Sequence, residues 1–291
     1  MSSEAAPGQD AAGYCAALVR DQDFDRYAAT LFVGTAPRRA LLALAAFNVE
    51  IVRIPRLVSQ PLVGDIRLQW WSDLLDGTAH GGESGNPVAA ELLWAIDSYR
   101  LPTAPLRRLI EARQFDLYND PMPDLAVLQD YLDATVGGLL HLGAMLLRPA
   151  PGGPQDVDLH AAHAAAMALG IAQLIARLPY DGSRRQLYVP KDLLERHGSS
   201  PEEVFAGRQT TAMQAALIEL IAVGQSHLAQ ALQELLAVPR ELRPALLPLA
   251  LARRDLDRLA RPERDPFQPE GRSRLATLWA LWRASRSPTF R

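Results

Sequence analysis

The segment RLPYDGSRRQLYVP, residues 177–190, concentrates side chains that suit the binding of an anion. Arg177, Arg184 and Arg185 carry guanidinium groups, which match phosphate oxygens with paired N–H donors and need no metal. Tyr188 adds a hydroxyl group that can hydrogen-bond a ligand. The segment therefore predicts a phosphate or diphosphate site.

Arg53 and Arg56 extend this prediction to a second apolar helical run, in which Glu50 is the one acidic residue. Two alternatives stay open for the arginines of both runs: they are solvated, or they pair with nearby acids such as Asp181 and Asp192. For Tyr188 the alternative is a packed ring whose hydroxyl is satisfied inside the protein.

The elements that must position these side chains are helices. Apolar residues recur at three- and four-residue spacing, and no alternating run of β-branched residues indicates a strand. Pro and Gly clusters divide the chain into about nine to eleven predicted helices. Pro55 predicts a kink or a helix end near Ile54, and Pro179 predicts a helix break between Arg177 and Asp181. The domain prediction is a flexible N-terminus over 1–13 and a single all-α domain over 14–291.

Composition excludes several classes of protein. The net charge of -3 argues against a general nucleic-acid binder, whose affinity comes from basic residues that neutralise phosphates. The single cysteine, Cys15, excludes an intramolecular disulfide and fits a reducing compartment. The N-terminus lacks the basic and apolar regions of a secretory signal, and apolar runs such as 139–147 are too short to span a bilayer. These observations predict a cytoplasmic bacterial protein, with peripheral contact to the inner membrane left open.

A series of motifs, in order along nearly the whole chain, resembles the squalene/phytoene synthase family. The motifs are AFNVE (46–50), RLQWW (67–71), NPVAAEL (86–92), FDLYNDP (115–121), YLDATVGGLLHLGAMLL (131–147), LGIAQL (169–174) and RRQLYVPKDLL (184–194). The resemblance implies a terpenoid-synthase-like helical bundle around a central cavity. It also implies two aspartate-rich helix segments whose carboxylates hold magnesium and the diphosphates of two prenyl substrates.

This sequence departs from the family pattern where those aspartates are expected. In the first segment the expected positions fall near Val52, Arg53 and Arg56. In the second segment the first aspartate position is Arg177, and the second is Asp181. Arginine cannot ligate a cation, so we predict no metal and no cofactor. If the chain were an active prenyltransferase condensing two prenyl diphosphates, Asp181, Glu50 and Tyr188 would be its catalytic candidates, with magnesium.

One branch of the family resembles this chain more closely, the non-catalytic assembly factors of respiratory complex I. The residues that carry this resemblance are PYDGSRR (179–185), LALARRDLDRLARPERDPFQPE (249–270) and TLWALWR (277–283). It implies a pseudoenzyme that supports assembly of NADH:ubiquinone oxidoreductase, with a complex I subunit or assembly intermediate as partner. The alternatives are the active prenyltransferase above and a prenyl- or lipid-binding protein without turnover.

Two further pairs of residues allow a functional and a structural interpretation. His160 and His163 are spaced three apart, but the sequence places no third ligand, so no metal is predicted there. Trp279 and Trp282 lie on a C-terminal helix with several arginines, which fits a membrane surface. Packing of both tryptophans against the bundle is the favoured prediction.

Overall fold

The computed structural model describes residues 7–79, 85–148, 160–261, 263–268 and 271–290. Within these ranges the regular structure is helical and contains no β-strand, so the predicted all-α class is confirmed. The helices are α1 Pro7–Gln22, α2 Phe24–Thr30, α3 Thr35–Leu57, α4 Pro61–Asp76, α5 Pro87–Tyr99, α6 Ala104–Arg113, α7 Leu125–Leu132, α8 Gly138–Leu146, α9 His160–Ser183, α10 Lys191–Arg196, α11 Pro201–Phe205, α12 Thr211–Glu234, α13 Leu249–Leu259 and α14 Arg274–Ser285. Two 3-10 turns, Gln114–Leu117 and Arg243–Leu246, and a π-helical turn, Asp133–Gly137, complete the set.

The described ranges hold more helices than the punctuation of the sequence predicts. The break between α1 and α2 is one example, because it contains neither Pro nor Gly and so gives no sign in the sequence. Asp23 makes this break by accepting a hydrogen bond from the backbone N–H of Arg26 at 3.2 Å, which caps α2. A side-chain cap of this kind separates two helices without a turn residue.

The first compact unit comprises Met1–Leu117, Gly138–Asp158 and Pro239–Ala245. Helix α3 is its central element and contacts α1, α5 and α8. Phe47 of α3 meets Trp71 of α4 edge to face, with 5.2 Å between ring centroids. Asn86 fixes the start of α5, since its side-chain oxygen accepts hydrogen bonds from the backbone N–H groups of Val88 and Ala89.

An ion pair whose carboxylate is buried and whose arginine is partly exposed joins α3 to α5 inside this unit. Arg39 donates from Nε and Nη2 to the two carboxylate oxygens of Glu91, each at 2.8 Å. The Arg39 guanidinium also lies over the Trp94 ring, 4.0 Å from its centroid.

Burial, with Glu91 and Glu50 nearby, raises the pKa of the Cys15 thiol to about 12, so this thiol stays protonated.

The second compact unit comprises Tyr118–Gly137, Leu159–Val238 and Leu246–Arg291. Helices α9 and α12 pack along each other, and α13 joins them where Gly224 lets the helices approach closely. Gly170 serves the same purpose toward α7, because a Cβ there would lie 2.4 Å from Leu132 Cδ2. By length and composition alone, Ala161–Ser183 and Thr211–Glu234 are apolar enough to cross a bilayer. The first of these segments is mostly buried within the protein, as expected of a core helix.

The domain prediction stays a prediction. Helix α1 begins at Pro7, inside the segment that the sequence assigned to a flexible N-terminus. Helix α3 passes Pro55 and ends at Leu57, within one turn of the predicted end at Ile54. A proline near the end of a helix removes one backbone hydrogen bond and leaves the earlier turns intact.

Candidate anion site at the end of helix α9

Helix α9 continues through Pro179 to Ser183, so the predicted break between Arg177 and Asp181 is wrong. Proline removes its own N–H from the helix ladder, which costs roughly 3 kcal/mol in a helix interior. Ile175, four residues before Pro179, and Leu178, directly before it, are both buried, and their burial holds this turn in place. Arg177 and Asp181 therefore lie one helical turn apart on the same face.

The side chains of Arg177 and Asp181 form an ion pair. Arg177 donates from Nε to Oδ2 at 3.3 Å and from Nη2 to Oδ1 at 3.0 Å. The Asp181 side chain is only 7% exposed. A buried carboxylate needs a compensating charge, and here the guanidinium supplies it. Of the alternatives left open by the sequence, pairing with Asp181 is the one found for Arg177.

The turn after α9 orients the next two arginines. The backbone N–H groups of Arg184 and Gln186 donate to the carbonyl of Asp181 at 3.0 and 2.9 Å, which closes the helix. Arg185 takes a left-handed conformation, with φ of 58°, at this helix end. A non-glycine residue in that region carries about 1 kcal/mol of strain or more. The turn therefore holds Arg185 in place at some cost in stability.

Arg184 and Arg185 are exposed, and each guanidinium lies over an aromatic ring. Arg184 is 5.8 Å from the centroid of Tyr180, and Arg185 is 4.8 Å from that of Phe205. A cation–π contact restrains a guanidinium without using its N–H donors. Arg184 and Arg185 are thus the members of the predicted set best placed to meet an anion from solution.

Tyr188 is half-buried and packs against Tyr131, with 5.6 Å between ring centroids. Backbone hydrogen bonds fix this stretch, because the Met122 N–H donates to the Leu187 carbonyl at 2.9 Å and the Lys191 N–H to the Met122 carbonyl at 2.8 Å. The ring of Tyr188 is thus packed inside the protein, while a role of its hydroxyl in ligand binding stays a prediction. Tyr131 was missed as a contributor, although the motif that contains it was recognised.

Gln186 and Asp192 are further residues that sequence reasoning did not single out as site members. Gln186 is buried, and its Nε2 has no hydrogen-bond partner among the described residues. One Asp192 carboxylate oxygen, Oδ1, is also buried without a hydrogen-bond partner among those residues. An unsatisfied buried polar group costs about 1–3 kcal/mol, so both atoms favour a further polar partner such as water or a ligand. No signal in the sequence distinguishes a buried glutamine from an exposed one.

Glu50, Arg53 and Arg56 lie on α3, in the first unit. The Arg53 Nη1 atom is 3.2 Å from Glu50 Oε1, and the Glu50 side chain is 26% exposed. Arg56 is exposed in the last turn of α3, where a positive charge complements the helix dipole. Binding of an anion by these residues, as by those of α9, stays a prediction.

The side chains present do not fit the magnesium site that the family resemblance implies. Magnesium prefers carboxylate and phosphate oxygens in octahedral geometry. Asp181 and Glu50 each accept hydrogen bonds from an arginine, and Arg177 and Arg53 cannot replace a missing carboxylate. Among the described residues, no group of three or more His, Cys, Asp or Glu side chains is arranged to hold a metal ion. The His160 side chain lies outside the described part of the chain, and His163 pairs with Asp133 at 3.0 Å.

The fold is of the terpenoid-synthase-like, all-α class. The crystal structure of squalene synthase HpnC from Alicyclobacillus acidocaldarius matches it with a TM-score of 0.72 over 90% of this chain and 97% of that chain. At 20% sequence identity, this likeness speaks for the fold alone. It confirms the fold class predicted from the sequence.

The chain belongs to the squalene/phytoene synthase family, whose model matches residues 19–280. It is 30% identical over 259 residues to the Mus musculus protein named NADH dehydrogenase (ubiquinone) complex I, assembly factor 6, covering 88% of this chain and 76% of that protein. It is 29% identical over 197 residues to phytoene synthase 1, chloroplastic, of Arabidopsis thaliana, covering 63% of this chain and 45% of that protein. The family predicted from the ordered motifs is confirmed.

Proposed function

We propose that this chain is a non-catalytic member of the squalene/phytoene synthase family that supports the assembly of respiratory complex I. The observation that carries the proposal is the Arg177–Asp181 ion pair on α9. It stands where the family resemblance implies two carboxylates for magnesium. The similarity to a complex I assembly factor over most of both chains supports the biological role.

The physical argument against turnover rests on charge. Departure of a diphosphate builds negative charge, and an enzyme of this class neutralises that charge with magnesium held by carboxylates. In this chain a guanidinium neutralises Asp181 instead. This positive charge belongs to a side chain that is already paired with Asp181. It cannot coordinate protein carboxylates and a leaving diphosphate together, as a magnesium ion does. The ion pair stabilises the helix but provides no ligands for a metal ion.

The same proposal assigns Arg184 and Arg185 to a phosphate-bearing prenyl or lipid ligand that is bound without turnover. Both arginines are exposed, and each guanidinium lies over an aromatic ring. Gln186 follows them in the same turn with an unsatisfied buried amide. The protein would work on the cytoplasmic side of the inner membrane, where it meets a complex I subunit or an assembly intermediate.

A complementation experiment tests the assembly role. The gene is deleted in the source organism, and NADH:ubiquinone oxidoreductase activity of membranes is measured with succinate oxidation as the control. We expect complex I activity to fall while succinate oxidation is unchanged, and the wild-type gene to restore it. Normal complex I activity in the deletion strain would contradict the proposal.

A diphosphate-release assay separates the assembly factor from the active prenyltransferase. Purified protein is incubated with farnesyl or geranylgeranyl diphosphate, with magnesium and with a chelator. We expect release no higher than that of boiled protein in either condition. Magnesium-dependent release that Asp181→Ala abolishes would instead establish the prenyltransferase.

Ligand binding without turnover has its own readout. Titration with a non-hydrolysable farnesyl diphosphate analogue should saturate, and Arg184→Gln with Arg185→Gln should weaken it by roughly tenfold or more, since each guanidinium removed takes a charge-assisted contact with it. Arg196→Gln, at another exposed arginine of the second unit, is the matched control. Unsaturable binding by the wild type would remove this part of the proposal and leave the assembly role standing.

A further inference from the structure

Helix α14 presents an apolar stripe to solvent. Leu275, Trp279 and Trp282 follow each other at four- and three-residue spacing and are 79%, 61% and 42% exposed. The opposite face, with Thr277, Leu281 and Ala284, is the one buried in the protein. The prediction that both tryptophans pack against the bundle is therefore wrong.

The two tryptophan rings stack on each other, with 5.0 Å between centroids and 26° between planes. The Arg286 guanidinium lies over the Trp282 ring at 4.9 Å. The exposed stripe is thus an ordered surface that places a cation beside two indoles. Indole rings prefer the boundary between water and the acyl chains of a bilayer to either phase alone.

The segment that carries this stripe is basic, although one of its arginines, Arg272, is paired with Asp255 of α13. Residues 271–291 contain five arginines and no aspartate or glutamate, in a chain whose net charge is -3. Arg283, in the last turn of α14, and Arg286, directly after the helix, are exposed beside the tryptophans. Basic residues near an anionic membrane are attracted to its negatively charged headgroups. The complementary surface is therefore one that is both apolar and negatively charged.

The size of the stripe favours a lipid surface over a folded protein partner. It extends over eight residues of helix, which is about 12 Å. Three side chains of this size bury roughly 500 Å². A stable protein–protein interface buries about 800 Å² on each partner. An interfacial helix needs no such area, because apolar insertion and headgroup attraction act together.

We propose that α14 lies in the plane of an anionic phospholipid surface. Leu275, Trp279 and Trp282 enter the boundary between headgroups and acyl chains, and Arg283 and Arg286 contact lipid phosphates. This surface is separate from the α9 turn, and its role does not depend on the proposed assembly function.

The test is flotation of the full-length protein with vesicles of phosphatidylcholine, with and without phosphatidylglycerol. We expect binding to the anionic vesicles that weakens as salt is raised, and little binding to the neutral ones. Trp279→Ser with Trp282→Ser should weaken binding by roughly tenfold or more. Arg283→Gln with Arg286→Gln should weaken binding to anionic vesicles by a similar factor.

A matched control comes from α4, where Leu62 and Ile66 are also exposed apolar residues one turn apart, with the acidic Asp65 beside them. Leu62→Ser with Ile66→Ser should leave vesicle binding unchanged. Circular dichroism melts of all variants report whether each still folds, and quenching of tryptophan emission by brominated lipid gives a second readout in the wild type.

Three outcomes would overturn the proposal. The first is no binding of wild-type protein to anionic vesicles. The second is an equal loss of binding by the α4 control and the α14 variant. The third is a dimer on size exclusion that Trp279→Ser with Trp282→Ser dissociates, without vesicle binding, which would make the stripe a contact between two copies of this chain.

Discussion

The two helix segments where the family resemblance implies aspartates, on α9 and on α3, use the same kinds of charge in different ways. On α9, Arg177 donates two hydrogen bonds to a nearly buried Asp181. On α3, Arg53 donates one to Glu50, which keeps about a quarter of its surface in water. An arginine beside a buried carboxylate is needed to compensate its charge, whereas one beside a hydrated carboxylate adds little.

The Arg39–Glu91 pair extends this comparison, because the Glu91 side chain is only 3% exposed and is held from another helix. Its hydrogen bond to Arg39 raises the pKa of that guanidinium. If burial of the carboxylate sets the cost of losing its arginine, removal of the arginine should destabilise the protein most at Glu91, less at Asp181 and least at Glu50. Three substitutions to methionine, which keeps the length and apolar character of the stem, test that order.

Arg39→Met should have the largest effect. It leaves Glu91 buried without its bidentate partner and removes the contact with Trp94. We expect the free energy of unfolding in urea to fall by about 3 kcal/mol. Arg20→Met, at an exposed pair with Asp21, is the control and should stay within about 0.5 kcal/mol. A loss below about 1 kcal/mol for Arg39→Met would show that burial of the carboxylate does not set the cost of removing its arginine.

Arg177→Met should come second, with a loss of about 2 kcal/mol, because Asp181 is slightly more exposed than Glu91 and both arginines are partly screened by water. Lys191→Met is a matched control at the same i,i+4 spacing, since Lys191 and Glu195 are both exposed. Urea unfolding again measures the change. Equal effects at the two positions would break the proposed contrast between buried and exposed pairs.

Arg53→Met should have a small effect, about 0.5 kcal/mol, because water continues to solvate Glu50 when its partner is removed. The midpoint of thermal unfolding is the sensitive measurement here. A loss as large as that of Arg177→Met would mean that Glu50 depends on Arg53 for more than a surface ion pair.

A pH series compares the two units through one histidine in each. Burial, and then Arg148, lowers the pKa of His141 below its ordinary value of 6.5. Burial, and then His163, lowers the pKa of His227 in the same direction. Between the lowered pKa and 6.5 the unfolded chain binds more protons than the folded one, so stability falls as the pH drops through this window.

We expect His141→Gln and His227→Gln each to flatten the dependence of the unfolding midpoint on pH below about 6.5. The double substitution should flatten this dependence more than either single one. A pH dependence that neither substitution changes would place the responsible groups elsewhere.

Sequence reasoning succeeded where local pattern and motif order carry the information. Helical periodicity gave the all-α class, and the ordered motifs from AFNVE to RRQLYVP gave the family, because both are written in neighbouring residues. The positions of Arg177 and Asp181 could also be counted without coordinates. Their role as ligand-binding or catalytic groups is still a prediction.

Burial and pairing, in contrast, were decided by the tertiary structure. Pro179 alone predicts a broken helix, yet packing around Leu178 keeps α9 continuous and lets Arg177 reach Asp181. The buried amide of Gln186 and the contact of Tyr131 with Tyr188 depend on segments that meet only in the folded chain.

The sequence by itself determined that this protein is a helical member of its family, in which Arg177 stands four residues before Asp181. Only the tertiary structure decided that this arginine compensates a buried carboxylate and that the tryptophans of α14 face solvent. The physical reason is that periodicity defines the faces of a helix, whereas the partners available in space determine which face is buried.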